Sequence, residues 1–537
     1  MRKFRVVVGT ALSLGGLLGV GVPSAESGVL PELDQTVMSE LPKDAQELLK
    51  TLPTKRLELD FVVGKAAKVS DSFRIVQAQR LTTDVASLQA QSILDWKPYL
   101  KVGVTDDRRQ PTTPFSTSRV QGNSITLGAQ TVFQTGTVLA AELSKGSTEL
   151  QFENPMIGNN GVLEFAETKA TLTLSQSLWQ NAFGDGIRAR MEAAEKASEA
   201  AVLIADDATD DWMLGLIQVY YNAWLAKAQA LAADTSLARR ERLLSMVQIL
   251  ANRGTAERPD LLQVQSAVDA TRVQADRAAQ AVGDVWRSLL TALKLPREWF
   301  KIDAKKVPIA LDDPMTEALA LCGTENAILP APEANLSVRK AKLQVAAASA
   351  QDRAADSQLR PDLSVTAQLA NNAIDNTPSD DQSLSDFAGF DHPAWTIGLQ
   401  FSMPIGFTAE KAQKLSAAAD LIRADAAVQQ AQDQHATVWV NQCLDLFRLN
   451  RAYAQLESSY VKQRERASLE EQRFRIGRSG TFQVIQAGDD ATQAEMAVRA
   501  MEVERRLAAW RVRRQAGQGR AWLEGLAQRF GRSEMSW

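Results

Sequence analysis

Two hydrophobic textures alternate along the chain. Between about residues 60 and 95 apolar positions recur at helical spacing, and at "WKPYLKVGV" the period drops to two, with Tyr99 and apolar residues alternating with polar ones after Pro98. The stretch 123–146, "NSITLGAQTVFQTGTVLAAELSKG", reads as strand, turn at Thr135-Gly136, strand. In "AETKATLTLSQSLW", 166–179, Ala170, Leu172 and Leu174 alternate with threonine and serine. Such strands are too polar to be covered on both faces and suit a sheet with one apolar face. Past "NAFGDG" an Ala/Leu-rich helix without proline runs from Ile187 to Ala251, about 98 Å at 1.5 Å per residue. "NRGTAERPD", 252–260, breaks it: Gly254 suits the position after a last helical turn, and Pro259 the first turn of the next helix, which runs to about Leu293.

The second half repeats this plan. Strands are expected in "RPDLSVTAQLA", 360–370, and "PAWTIGLQFSMPIG", 393–406, followed by a helix from Ala409 to Phe474 and a break at "FRIGRSGTFQVIQA". Gly254 aligns with Gly477 at an offset of 223, which also sets Leu261-Leu262-Gln263 over Val484-Ile485-Gln486. Leu178 with Ile405 gives 227 and Pro98 with Pro361 gives 263, so the first half carries 263 − 227 = 36 additional residues. The expectation is a hairpin at 123–146 that extends outward instead of adding two strands to a wall, since more strands would widen the wall beyond its helical base. Strands at 98–105, 168–178, 362–370 and 395–404 have the roughly 9–11 residues needed to cross hydrocarbon at a tilt. So few strands close no barrel alone; only an oligomer removes the open edges.

Composition narrows the setting. Of 537 residues 45% are hydrophobic and 6% aromatic, and the net charge is -4; no Lys/Arg block is long enough to bind nucleic acid. Residues 1–25 read as a signal peptide: Arg2, Lys3 and Arg5, then an apolar run from Val6 to Val22, then small residues at Ser24 and Ala25. Cleavage there would remove three positive charges, taking -4 to -7. Residues 26–59 form an N-terminal extension, and no later run is apolar enough for a transmembrane helix. Charges recurring along the long helices, as in "IRARMEAAEKASEA", keep them out of lipid. Cys322 and Cys443 could form one disulfide in an oxidising compartment, but they lie in dissimilar contexts, one in the loop-like "LCGTEN" and one in a helix, which favours two free or buried thiols and leaves the pairing open. His392 and His435 have no metal-ligand spacing, so neither a metal nor a cofactor is expected. The absence of any nucleophile or His/Cys/carboxylate constellation argues against an enzyme.

The ordered series "TLTLSQSLWQNAFG", "RGTAERPDLLQVQSA", "RPDLSVTAQL", "WTIGLQFSMPIGFTAEKAQ" and "FRIGRSGTFQVIQAGDD" resembles the TolC family of outer-membrane efflux and secretion channels, over roughly residues 60–512. The resemblance implies an internally duplicated α/β membrane channel: a homotrimeric outer-membrane β-barrel with four strands per protomer, twelve in total, continued by a long periplasmic α-helical barrel. It divides the chain into a first repeat at 60–293, an equatorial linker at 294–335, a second repeat at 336–511 and a C-terminal tail at 512–537. It also implies two partners: a periplasmic adaptor, and an inner-membrane pump of RND or ABC type, for efflux or type I secretion. The alternative is a periplasmic coiled-coil protein that forms no channel.

Within that frame the breaks between long helices are hairpin tips at the closed periplasmic end. Where the family carries an acidic constriction this chain has Gln483 and Gln486; Asp260 stands at the repeat-equivalent of Gln483, and Asp489 and Asp490 follow one turn later. The expectation places Gln483, Gln486 and Asp490 toward the tunnel axis, beside Asp260. Arg253, Gly254 and Arg258 at the first tip, with Arg475, Gly477, Arg478 and Gly480 at the second, are the expected turn and adaptor-contact residues. Gly184, Gly186, Pro404 and Gly406 are expected where strand passes to helix. The tail carries an amphipathic pattern of Trp522, Leu523, Leu526 and Phe530 and ends in Trp537.

Overall fold

The computed structural model describes Gln46 and residues 56–529, apart from 109, 111–115, 155, 160, 324–331, 377–382 and 388. The signal peptide, most of the N-terminal extension, Phe530 and Trp537 lie outside the described residues.

Three short helices, α1 (Leu59–Val69), α2 (Asp71–Leu81) and α3 (Val85–Gln91), lead into strand β1 (Lys97–Asp107). Strands β2 (Thr117–Val132), β3 (Thr137–Phe152) and β4 (Val162–Ser177) follow, then the long helix α4 (Asp185–Asn252) and its return α5 (Arg258–Ala292). A connecting segment holds α6 (Met315–Cys322), and the second half runs α7 (Leu336–Gln358), β5 (Asp362–Asp375), α8 (Ser383–Phe387), β6 (Pro393–Ser402), α9 (Thr408–Arg475), α10 (Thr481–Gln515) and α11 (Gln518–Arg529). The long helices α4 and α9 have 68 residues each, and α5 and α10 have 35 each. All four starts and ends are related by 223, for example 408 − 185 and 515 − 292. The sequence offset of 227 between Leu178 and Ile405 therefore does not reach the helices; the difference lies in the strand ends before them.

The helices form one layer, four across at every level. Near the sheet the order is α2/α3, α4, α7, α9; at the far end it is α5, α4, α10, α9. Position in the layer explains burial. The inner helix α4 has 26 buried residues, many of them alanine, whereas the equally long α9 at the margin has 9. Apolar side chains stand uncovered at both margins: Ile75, Leu81 and Leu88 on α2 and α3, and Leu415 and Ile422 on α9. No helix among the described residues is long and apolar enough to cross a membrane.

All six strands make one antiparallel sheet in the order β1-β2-β3-β4-β5-β6. This corrects the expectation of four strands and an outlying hairpin. The 123–146 hairpin belongs to β2 and β3, which pair with each other along nearly their whole lengths, β2 taking all of β1 on its other side and β3 nearly all of β4. Their turn points to the helical end: Phe133 N donates to Thr137 O at 2.8 Å, Gly136 takes φ 74, and the turn packs on Gly184 at the foot of α4. The sheet alternates as a pleat requires. One face carries the row Pro98, Ala129, Ala141, Leu172, Leu369, Trp395, with exposed Leu100, Val102, Val104, Ile125, Leu127, Ile397 and Leu399 around it; the other carries rows such as Lys101, Thr126, Ser144, Lys169, Asn372. Phe387, the last residue of α8, and Phe390 beyond it line a groove with Leu172 and Leu369 on the apolar face.

Midway along the helical layer the connecting segment closes a waist. Leu57 bridges Ile309, Tyr220 Oη donates to Leu57 O at 2.8 Å, Tyr221 Oη to Asp312 at 2.6 Å and Trp510 Nε1 to Tyr221 Oη at 2.9 Å. Burial raises the Asp312 carboxyl above its ordinary range, against the lowering pull of the Tyr221 hydroxyl. Cys322 and Cys443 form a disulfide with a Cα–Cα distance of 5.7 Å, correcting the expectation of two thiols. The "LCGTEN" context is not a loop at the cysteine: Cys322 is the last residue of α6, which lies against α9 and α10 in a cluster with Trp439, Leu446, Ala509 and Val512. The tail helix α11 packs on α1, α4 and α10, with Leu523 and Leu526 buried and Trp522 4.6 Å from Trp510.

Candidate functional site at the hairpin tips

Both long hairpins turn by the same backbone device. At the first, Gly254 has φ 74 and Thr255 N donates to Leu250 O at 2.9 Å; at the second, Gly477 has φ 72 and Arg478 N donates to Arg473 O at 2.8 Å. A left-handed glycine with the following amide reaching back five residues caps the last carbonyls of a helix. The return helices then start from extended caps, Glu257 and Gly480, with Pro259 in the first turn of α5. Gly480 has φ -94, so it is cap and not left-handed turn. The two turns are held together by an apolar cluster of Leu243, Val247, Val264, Phe474 and Val484.

Around that cluster polar groups link the two hairpins. Thr481, at the first position of α10, donates from its hydroxyl to Asp260 at 3.0 Å, which fastens one tip to the other, and its oxygen lies 3.2 Å from Gln263 Oε1. Asp489 is ion-paired with Arg240 of α4, whose Nη1 also donates to Ala267 O of α5 at 2.8 Å. Asp490 is 2.9 Å from Arg466 of α9 and accepts from Gln486 Nε2 at 2.8 Å. Adjacent carboxylates thus diverge: Asp489 ties α10 to the first hairpin, and Asp490 stays within the second. Gln483 and Gln486 are exposed, whereas Asp260, Asp489 and Asp490 are half-buried. Glu470 accepts from Ser479 Oγ at 2.7 Å and from Arg473 at 3.0 Å, and the Ser479 bond, then Arg473, holds its carboxyl below the usual range. Arg253, Arg258, Arg475 and Arg478 are exposed and make no ion pair among the described residues, and exposed Leu262, Ile476 and Phe482 lie near them in the two tips.

Sequence reading named the acidic and glycine positions of this site but missed Arg240, Arg466 and Thr481. The Arg239-Arg240 doublet inside an alanine-rich helix was the available signal. Its distance to Asp489, 249 residues along the chain, was not.

At the other end of the helices the junctions also share geometry. Gly184 has φ 81 and Gly406 φ 99, each beside a phenylalanine in the left-handed region, Phe183 at 48 and Phe407 at 49. Asn181 Oδ1 accepts from Ile187 N at 3.0 Å and so caps α4. Gly186 has ordinary helical backbone; its missing side chain leaves room for Ser357 Oγ and Asn181. Pro404 lies in the link between β6 and α9.

No family model and no curated protein sequence matches the chain. Solved structures do share its fold. The outer-membrane protein VceC from Vibrio cholerae superposes with a TM-score of 0.62 at 13% identity, covering 86% of this chain and 96% of that one. The outer-membrane channel OprN gives 0.61 at 17%, covering 87% and 90%. The Campylobacter jejuni CmeC outer-membrane channel gives 0.63 at 13%, covering 86% of each. The chain has the fold of these channels along almost its whole described length.

Proposed function

We propose that this chain is one protomer of a trimeric outer-membrane channel through which substrate passes passively from the periplasmic side to the exterior. One observation carries the reading. A sheet with one apolar face continues end to end into a helical layer, and both are unfinished on the same two sides. Strand β1 and helices α2 and α3 form one margin; β6 and α9 form the other. A sheet edge left open in lipid is untenable because its amides and carbonyls find no water there. Rotation of further copies about a common axis closes both layers at once.

On this reading the apolar face meets lipid, the polar face lines the duct, and the helices reach into the periplasm with the tips at their far end. The four unpaired tip arginines and the apolar residues near them are the surface offered to a periplasmic adaptor, which couples the duct to an inner-membrane pump of RND or ABC type for efflux or type I secretion. Membrane fractionation followed by native mass measurement in detergent tests the proposal: the protein is expected in the outer membrane as three protomers, and a soluble monomer would overturn it.

A further inference from the structure

Resting on that reading, we infer that each protomer gives its barrel six strands, so that the trimer closes eighteen, with β1 of one copy paired to β6 of the next. Three observations converge. The first is the width of the helical layer. Four helices spaced about 8–10 Å apart occupy roughly 32–40 Å of perimeter.

The second is the slope of the sheet, which its register reveals. The row through Lys97, the first residue of β1, passes Gln130, Ala140, Thr173 and Gln368 and reaches β6 at Thr396, 402 − 396 = 6 residues before β6 ends. Since β1 starts and β6 ends where the chain passes to helix, Lys97 of the next copy stands beside Ser402, and six residues, about 20 Å of strand, are accumulated over the six interstrand steps of about 4.8 Å from one β1 to the next, so the strands tilt by about 35°. That is the tilt of membrane barrels. Six strands at this tilt occupy about 35 Å, within the width of the four helices, whereas four would occupy only about 23 Å. The added pair therefore matches the wall to its base, which is why the expected over-widening does not arise.

The third is the fit of the free edges. Set antiparallel with Lys97 opposite Ser402, all ten residues of β6 face residues 97–106 of the neighbouring β1. Pro98, Leu100, Val102 and Val104 then fall opposite Phe401, Leu399, Ile397 and Trp395, continuing the apolar face across the joint, and Lys101 falls opposite Gly398 on the polar face. The closed barrel measures about 33 Å across its backbone, against about 22 Å for twelve strands at the same tilt. Its wall is no narrower than the helical tunnel, and selection by size is left to the tips.

Cysteine scanning tests this, because both native cysteines are bonded to each other. In outer membranes, Leu127→Cys in β2 and Leu143→Cys in β3 are expected to resist a water-soluble maleimide and to react with a lipid-phase one, as Leu172→Cys in β4 does. Thr126→Cys and Ser144→Cys should show the reverse. Lys101→Cys combined with Gly398→Cys should cross-link copies into covalent trimers on oxidation, ahead of Lys101→Cys with Thr396→Cys. Water access at 127 and 143 while 172 stays shielded would place the hairpin outside a twelve-strand wall and overturn the inference. Failure of the 101/398 pair to cross-link, with 127 and 143 shielded, would overturn the closure through β1 and β6. Water access at 172 as well would mean that the sheet spans no membrane, and the proposed function would fall with it.

Discussion

Gly184 is held by two constraints at once, a left-handed backbone at φ 81 and the Gln134 carbonyl of the β2–β3 turn pressed against the place a side chain would take. Gly254 has a similar φ of 74 but open space around it. Alanine at 254 should cost only the conformational term, about 1–2 kcal/mol, while alanine at 184 must also displace the turn. Thermal melting of the two variants in detergent checks the order: Gly184→Ala should melt well below Gly254→Ala, and equal losses would show that the turn does not rest on the junction.

Asp210 gives a pH signature. Burial pushes its carboxyl up to about 6, with Asp207 and Asp206 adding to the rise while Arg514 and Arg520 oppose it. Because the folded value lies above the unfolded one, the folded state holds the extra proton between about pH 4 and 6. This group's contribution therefore becomes less favourable as pH rises through that window and is fully unfavourable above it. Asp210→Asn should stabilise the protein at pH 8, on the order of 2 kcal/mol, and give little or no gain near pH 4. A gain independent of pH would contradict the assignment.

At the tips the pairing of Asp490 with Arg466 fixes the sign of two further effects. If these groups reach the duct, Asp490→Asn leaves three unopposed cations in the trimer and should lower cation preference. Arg466→Gln frees three carboxylates and should raise it. Reversal potentials across a salt gradient read both. If neither variant moves them while Asp260→Asn does, the acidic ring belongs to the first tip.

Among the elements, the duplicated hairpins were the most legible in sequence. Two proline-free helices, each ended by a glycine that admits the left-handed turn, announce themselves through composition and punctuation alone. The strands were legible as strands and not as partners. Period-two alternation marks Leu139, Ala141 and Leu143 as one face of a strand, but it is silent about which strand lies alongside, and the 36-residue excess, with the over-widening expected of added strands, made 123–146 look like an outlying hairpin. Register decides that question, and register is a property of the assembled sheet. The tip site was half legible for a related reason: Asp260, Asp489 and Asp490 could be named, while their partners lie up to 249 residues away.

The disulfide was hidden in the same way, its cysteines 121 residues apart. It pins α6 to α9 beneath Trp439 and Leu446, so its loss should loosen the waist specifically. Replacing both cysteines by serine is expected to cost about 2–4 kcal/mol. Hydrogen exchange should rise in residues 315–322 and the facing parts of α9 and α10 while the tips and the sheet keep their protection. Unchanged melting and exchange would show that packing alone holds the segment.

On the proposed reading the whole molecule is a single duct, open through the sheet and drawn closed at the tips by the links between hairpins: Thr481 to Asp260, and Arg240 to Asp489 and Ala267. On the same reading further copies complete the exposed margins of the helical layer and the free edges of the sheet. The most direct test is single-channel conductance of the purified trimer in planar bilayers, wild type beside a variant in which Arg240 and Thr481 are both alanine. Discrete, long-lived conductances are expected in both, several-fold larger in the variant because the tips are no longer fastened. A trimer that inserts but conducts no ions in either form would contradict the single duct.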